Sequence, residues 1–287
     1  MTTRDTRLSP CRGLARRAGT ALGALLLCSA APATGAEPNP SRFDSGLDLA
    51  AQYVREVDRR LEVPATEQSG YARRLAHALA CSPRTAARLP LPAQFVLLID
   101  RDAQVQAAML FWLDGTGQAH FIGASPVSTG RPVGYEHFAT PTGVFEHSLA
   151  NPDFRAEGTR NEFGVCGYGS AGRRVFDFGW ADAWKGWGVR GFGTMRLQLH
   201  ATDPTLLEHR LGRRESKGCI RIPATLNEFL DRRGILDADY ERALSEGQSL
   251  WLLRPDRTPT PWPGRYLVIV DTARAARPAW SPPPRPR

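Results

Sequence analysis

Hydrophobic residues recur with two different periods along this chain. Between residues 37 and 91 they are three or four apart, as in GLDLAAQYVREVDRRL and GYARRLAHALA, which predicts two short helices. From Gln94 onward the pattern changes to apolar runs and alternation, which predict the strands QFVLLID, QVQAAMLFWL, QAHFIGASPVS, GVFEHSL, TMRLQLH, SLWLLR and RYLVIVD. PATLNEFLDRRG and DADYERALSEG are predicted helices within this region. The sequence therefore predicts a mostly β fold with short helices.

Two local patterns refine this prediction. DGTG between the second and third strands is typical of a hairpin turn. In TMRLQLH the apolar residues alternate with polar ones, so one face of the strand is predicted to be buried. The opposite face then holds Arg196, Gln198 and His200, with His200 at the end of the strand.

The first 36 residues have the pattern of a signal peptide. Five arginines precede the apolar run ALGALLLCSAA, and the small residues of ATGAEP follow it, with a plausible cut after Ala36. The apolar run is too short to span a bilayer, so we expect export to the periplasm and no stable membrane span after cleavage. A membrane anchor that is left uncleaved is the alternative.

The remaining chain divides into four predicted segments. They are a helical N-terminal segment (37–91), a β domain (92–256), a C-terminal strand extension (257–273) and a tail rich in proline and arginine (274–287). The tail contains no acidic residue, and we expect it to be disordered.

Composition excludes some classes of function. Loss of residues 1–36 removes five arginines and one aspartate, which lowers the net charge from +8 to +4. No basic patch is interleaved with stacking aromatic residues, so nucleic acid is not an expected partner. The mild positive charge suits an anionic polymer of the cell envelope only weakly.

The cysteines raise a question of chemistry. Cys81, Cys166 and Cys219 remain after cleavage, and an odd number leaves at least one thiol without a partner inside a monomer. Pairing of Cys81 with Cys166 is left open. No CxxC pair is present, and one cysteine with scattered histidines does not predict a zinc site.

The segment RRESKGCIRI surrounds Cys219 with residues that suit a nucleophile. Such a thiol needs a base, backbone donors for an oxyanion and access to substrate. If His200 is beside Cys219, we expect its cationic form to lower the pKa of the thiol. His200 lies sixteen residues before Ser216, and Gly218 permits a tight turn. The amides of Lys217, Gly218 and Cys219 would form a nest of donors. A small, buried structural cysteine is the alternative.

Two motifs in this chain resemble the L,D-transpeptidase (YkuD-type) catalytic domain family. His200, fifteen intervening residues and then SKGCIR resemble the family's signature. Upstream, VSTGRPVGYEHFATPTGVFE is similar to a second family segment, with matches at Ser128, Thr129, Gly130, Thr140, Pro141, Gly143 and Phe145. The resemblance covers roughly residues 94 to 254, with insertions around 150–192 and 232–247. It implies a β-sandwich-like domain, preceded here by the helical segment.

The resemblance also implies roles for individual residues. Cys219 would be the nucleophile, and His200 the general base and then the general acid. Ser216 and Gly218 would shape the loop. Arg221 would lie near the substrate, or would instead fix the loop through backbone carbonyls.

The sequence departs from the family pattern at two positions. Lys217 stands where the family often has histidine, and its charge would either favour a thiolate or attract a carboxylate. Ala201 follows the predicted base where glycine or serine is common, so a backbone carbonyl must orient the imidazole.

The implied reaction is acyl transfer on peptidoglycan stem peptides. Cys219 would attack the diaminopimelate–D-Ala bond and pass the acyl group from its thioester to an amine, which forms a 3-3 cross-link. No metal or other cofactor is implied, and we expect a monomer. Water, a free D-amino acid or a lipoprotein lysine could replace that amine as acceptor. Two hypotheses without this chemistry are a non-catalytic wall-binding module and a protein that uses Cys219 for an intermolecular disulfide.

Further residues carry weaker predictions. His137 and His147 flank the TPTG segment, and they either line a cleft or have a structural or solvated role. Trp180, Trp184 and Trp187 form either a wall or lid over substrate or part of the core.

Overall fold

A computed structural model describes residues 41–284 of the chain. Residues 1–40, which include the predicted signal peptide, and residues 285–287 lie outside the described residues. Within them, the helices are α1 (Ser41–Glu56), α2 (Ala65–Cys81), α3 (Ala224–Arg232) and α4 (Ala238–Ser245). The strands are β1 (Gln94–Asp100), β2 (Ala107–Leu113), β3 (Ala119–Pro126), β4 (Gly143–Glu146), β5 (Phe154–Arg155), β6 (Arg174–Lys185), β7 (Gly191–Ala201), β8 (Ile220–Ile222) and β9 (Tyr266–Val270). The structure thus has mixed α/β content, with two sheets and four helices, and it agrees only in part with the mostly β fold that the sequence predicts.

The first sheet has the strand order β3-β2-β1-β9-β4. Its central strand β1 is apolar along most of its length because both of its faces are covered. Phe95, Leu97 and Ile99 face a core shared with the second sheet, whereas Val96 and Leu98 face a second core on the other side. The predicted hairpin between β2 and β3 is present as an antiparallel pair.

The second sheet has the order β5-β6-β7-β8. Strands β6 and β7 form a long antiparallel hairpin, and β8 pairs with β7 in parallel. The alternation predicted for β7 is present, since Met195, Leu197 and Leu199 are buried in the core between the sheets. The opposite face of β7 is therefore available to build a site beside β8.

The N-terminal helices cover both cores. Tyr53 of α1 and Val57, which directly follows this helix, belong to the core between the sheets, and Tyr53 Oη lies 2.6 Å from Ser125 Oγ of β3. Leu75 and Leu79 of α2 are buried against the outer face of the first sheet. Both predicted helices thus contribute directly to the packing of the β domain.

The C-terminal region differs from the prediction. β9 is an interior strand between β1 and β4, so it completes the first sheet instead of extending it. Residues 249–254 contain no strand, although SLWLLR predicts one, and they form a turn on the surface. The prediction assumed that the apolar residues of this segment are buried in a sheet, but Trp251 is exposed.

Residues 274–284 are packed, so the expectation of disorder is wrong for this part of the tail. Arg274 forms an ion pair with Glu67 at 2.6 Å. Trp280 is buried, with its ring edge-on to Tyr71 at a centroid distance of 6.1 Å. Ser281 Oγ donates a hydrogen bond to the Val105 carbonyl at 2.5 Å. The burial of Trp280 and these polar contacts hold the segment against the domain, although its composition is typical of a disordered tail.

Within residues 41–284, no helix is long and apolar enough to cross a membrane.

A cluster of charged side chains is fully buried between β6 and the α3–α4 region. The Arg174 guanidinium donates to Asp153 and to Asp237, each at 2.7 Å. His147 Nε2 donates to Asp153 Oδ1 at 2.8 Å, and His147 Nδ1 donates to the Leu236 carbonyl at 2.7 Å. Since both ring nitrogens face acceptors, the imidazole is best satisfied as the cation. His147 therefore has a structural role and does not line a cleft.

The pKa values within this cluster follow from its geometry. Burial alone would lower the pKa of His147, but the Asp153 carboxylate overcomes that effect and raises it. The pKa of Asp153 is lowered, because His147 and Arg174 outweigh the opposing effect of burial. A raised histidine pKa stabilises the fold below the unfolded pKa of about 6.5, and this stability is lost as the pH rises through the folded pKa.

We therefore predict that the free energy of unfolding falls as the pH rises above about 6.5, by at most about 1.4 kcal/mol per pH unit. Urea denaturation at several pH values measures it. His147→Gln should flatten this dependence, whereas His77→Gln, at an exposed position on α2, should leave it unchanged. An equal slope in wild type and His147→Gln would contradict this assignment.

Candidate active site

The loop that carries Cys219, which we call the cysteine loop (residues 215–221), is held by the VSTG segment. Ser128 and Arg221 exchange two backbone hydrogen bonds of 2.9 Å. The Thr129 carbonyl accepts from the amides of Glu215 at 3.0 Å and Ser216 at 3.1 Å. The two motifs that are far apart in sequence are therefore adjacent in the fold.

The TPTG segment reaches the same loop through one side chain. Thr140 Oγ1 donates to the Gly218 carbonyl at 2.6 Å and accepts from the Gly130 amide at 2.8 Å. A Cβ atom on Gly130 would lie 2.0 Å from the Phe138 carbonyl oxygen and 2.8 Å from Gly218 Cα. Glycine at position 130 is thus required by the close approach of the two segments.

Ser216 and Gly218 shape the turn before the thiol. Ser216 Oγ donates to the Cys219 carbonyl at 2.5 Å and accepts from the Gly218 amide at 3.1 Å. Gly218 has φ of 143°, and a Cβ atom there would lie 2.6 Å from Met195 Sδ. Of the three amides predicted to form a nest, the Gly218 amide is used by Ser216. The amides of Lys217 and Cys219 donate to no acceptor among residues 41–284, so they are the candidate oxyanion donors.

Strand pairing fixes the neighbours of Cys219. β8 pairs His200 with Arg221 and Leu199 with Ile220, so Cys219 lies beside Gln198. Cys219 is partly buried, and its Sγ lies 3.7 Å from the Arg196 carbonyl oxygen and 3.9 Å from Gln198 Oε1. His200 is two residues further along the same face of β7. The described residues show no hydrogen bond between Cys219 and His200, which is common for a catalytic pair without substrate.

His200 is oriented by a backbone carbonyl, as its sequence context predicts. Its Nδ1–H donates to the Ala201 carbonyl at 2.5 Å, which leaves the Nε2 lone pair available. Burial and the positive charge of Arg221 lower the pKa of His200 to about 4, although the Ala201 carbonyl opposes them. The imidazole is therefore neutral at pH 7 and able to accept a proton.

The thiol of Cys219 differs from the expectation of a depressed pKa. Burial raises the pKa of Cys219, and Arg221 lowers it only in part. The expectation was wrong because it assumed a cationic imidazole beside the sulfur, and His200 is neutral here. In this state of the protein, Cys219 and His200 are a thiol and a neutral imidazole.

Sequence reasoning missed a hydrogen-bonded chain beside the thiol. Gln198 Nε2 donates to Asp177 Oδ2 at 2.9 Å, and Tyr168 Oη donates to Gln198 Oε1 at 3.0 Å. The Tyr168 ring also packs edge-on against His200 at a centroid distance of 4.7 Å. The alternation of β7 places Gln198 on this face, but Tyr168 and Asp177 come from the insertion, where no motif identifies them.

Arg221 faces a small basic cleft. A cavity of about 180 Å³ is lined by Arg131, Arg210 and Arg221, together with His137 and Glu215. No side-chain hydrogen bond of Arg221 forms within the described part of the chain, so the alternative that it fixes the loop through carbonyls is not supported. Burial lowers the pKa of Arg221, which marks its guanidinium as poorly solvated.

The structure also shows the surroundings of three other residues singled out in the sequence. Lys217 is exposed and points to Glu136, at 3.4 Å. Trp187 packs against Tyr135, with ring centroids 4.9 Å apart. Cys166 is a buried free thiol, so it is not paired with Cys81.

Among residues 41–284, no group of three or more His, Cys, Asp or Glu side chains could hold a metal ion. Comparison with known proteins finds no family model that matches the chain and no curated protein that is similar to it in sequence. The functional assignment therefore depends on the geometry of the site and on the two sequence motifs.

We predict that alkylation of Cys219 by iodoacetamide follows the titration of a thiol with a raised pKa. An ordinary thiol with a pKa of about 8.5 is only about 3 % thiolate at pH 7, and Cys219 should be less ionised. Peptide mapping across a series of pH values should give a higher midpoint for Cys219 than for a model thiol measured in parallel. Arg221→Ala should move it higher, because a nearby cation is lost, whereas Arg213→Ala should not. A midpoint below that of a free thiol would contradict this account.

Proposed function

We propose that this chain is an L,D-transpeptidase of the YkuD type, an acyltransferase that acts on peptidoglycan stem peptides through a Cys219 thioester. The observation that carries the proposal is the cysteine loop itself. Both motif segments contact it, and it lies beside a histidine whose Nε2 is free to take a proton. The pair of packed sheets is consistent with the β-sandwich that the family implies.

Acylation begins from the neutral pair. As Cys219 Sγ bonds to the carbonyl carbon at the L-centre of diaminopimelate, the thiol proton passes to His200 Nε2. The negative charge that develops on the carbonyl oxygen is stabilised by the amides of Lys217 and Cys219. The tetrahedral intermediate then breaks its C–N bond, and D-Ala leaves with the proton from the imidazolium.

Deacylation reverses these roles. An amine attacks the thioester carbonyl and gives a proton to His200, the C–S bond breaks, and the thiol is restored. When the amine is the side chain of a second diaminopimelate, the product is a 3-3 cross-link. Water, a D-amino acid or a lipoprotein lysine would complete the same chemistry with a different product.

Charge in the adjoining cleft supports a peptide substrate with carboxylates. Arg131, Arg210 and Arg221 line it, and Glu215 is the acidic residue among its lining groups. Arg210 forms an ion pair with Glu215 at 2.8 Å. Arg221 has no such partner among the described residues, so its guanidinium has more free donors for a carboxylate. Stem peptides carry free carboxylates, and a guanidinium binds a carboxylate with two parallel hydrogen bonds.

The location and the partners belong to this proposal as well. A periplasmic, monomeric enzyme that needs no cofactor fits the predicted signal peptide and a mechanism that uses only protein groups. A pure wall-binding module would not need the arrangement of Cys219 and His200. A disulfide-forming role is disfavoured because Cys219 is partly buried and lies within a rigid turn.

We predict that His200→Ala lowers turnover of a diaminopimelate-containing tetrapeptide by about 10²–10⁴-fold, the range typical of a lost general base. Mass spectrometry of the muropeptides measures this rate and also identifies the acceptor from the product. His77→Ala should behave as wild type. Activity within a few-fold of wild type in His200→Ala would assign the base to another residue.

A further inference from the structure

The β6–β7 hairpin presents exposed aromatic rings on one face. Trp180 is 67 % exposed, Trp184 is 44 % exposed and Phe192 is 75 % exposed. Trp184 is paired with Phe192 across the hairpin, and their ring centroids are 6.0 Å apart. We call these three residues the aromatic face.

Strand alternation shows that these rings point away from the core. Ala183 and Met195, which lie on the other face of the hairpin, belong to the core between the sheets. Trp187 differs from the aromatic face, because it packs against Tyr135 and Phe138. Large exposed aromatic residues on one side of a rigid hairpin are typical of a binding surface.

The aromatic face is continuous with the cysteine loop. Trp180 is paired with Arg196 in the sheet, and the Arg196 guanidinium lies 5.5 Å from the centre of the Trp180 ring. Cys219 Sγ lies 3.7 Å from the Arg196 carbonyl oxygen. The thiol and the rings therefore belong to one surface of the second sheet.

We propose that the aromatic face binds the sugar chain of the polymer whose peptides reach Cys219. This inference rests on the proposed function and extends it from the peptide to the glycan. A sugar ring has a face of C–H groups, which packs on an aromatic ring, and an edge of hydroxyl and amide groups, which needs polar partners. Asp182 and Thr194, joined at 3.2 Å, lie between the rings on the same face and provide such partners.

The mixture of groups favours a polysaccharide over a lipid surface. The rings are separated along each strand by the polar side chains Asp182 and Thr194, and an acidic group between the rings is unfavourable against an anionic lipid surface, which attracts Lys and Arg instead. The hairpin supplies both an acceptor, Asp182, and a cation, Arg196, beside its rings. This pattern suits a neutral, hydrogen-bonding ligand with apolar faces.

Distances along β7 agree with the geometry of the substrate. Phe192 is four residues from Arg196, which corresponds to about 13 Å at about 3.3 Å per residue. Three residues of an extended stem peptide span about 10–11 Å. When the carbonyl of the third residue is at Cys219, the sugar that bears the peptide would therefore lie near Trp184 and Phe192.

The direct test measures binding of glycan strands from which all stem peptides have been removed. Isothermal titration calorimetry with the mature protein should show binding, and Trp184→Ala and Phe192→Ala should each weaken it by about five- to ten-fold. Trp251→Ala and Phe163→Ala are matched controls, since these rings are 80 % and 76 % exposed elsewhere on the surface. Absence of binding by the wild type, or equal losses in the controls, would overturn the inference.

A second measurement separates this inference from the proposed function. Rates of D-Ala release are compared for intact peptidoglycan and for the free tetrapeptide. The ratio of the two rates should fall at least about five-fold in Phe192→Ala and stay constant in Phe163→Ala. An unchanged ratio in Phe192→Ala would overturn the inference. If wild type releases D-Ala from neither substrate, the proposed function fails, and the calorimetry still decides whether the aromatic face binds glycan.

Discussion

The site depends on the backbone pairing between the cysteine loop and the VSTG segment. Ser128 and Thr129 fix the two ends of this loop, and Thr140 fixes its middle at the Gly218 carbonyl. These contacts join the first sheet, whose β3 leads into the VSTG segment, to the edge strand of the second sheet. Without them the thiol would have no defined position relative to His200, so the packing of the two sheets determines the chemistry.

Electrostatics then determine the state of the reactive groups. Burial favours the neutral forms of both Cys219 and His200, and the positive charge of Arg221 further opposes protonation of the imidazole. The two groups are therefore a neutral thiol and a neutral imidazole and not a charged ion pair, and under the proposed function the proton would pass between them as substrate binds. Arg221 lines the adjoining cleft, and its guanidinium makes no side-chain hydrogen bond within the described residues; under the proposed function it would bind an anionic group of the substrate.

Several elements could be predicted from the sequence because their signals are local. The apolar run of β1 and the alternation of β7 are predicted correctly, and the two segments singled out in the sequence meet at the cysteine loop. The long strand β6 was missed because a glycine interrupts its pattern: Gly179, with φ of 80°, lies at a bulge opposite β7. Asp177 and Tyr168 act through contacts with β7 that no local pattern encodes.

The central claim is that Cys219 accepts an acyl group from a stem peptide. Intact-protein mass spectrometry after brief incubation with the tetrapeptide and an acid quench tests it most directly. The account predicts that the wild-type mass rises by that of the peptide less D-Ala, that the adduct maps to Cys219, and that Cys219→Ala gains nothing. An adduct of equal yield in Cys219→Ala, or one located on another residue, would contradict it.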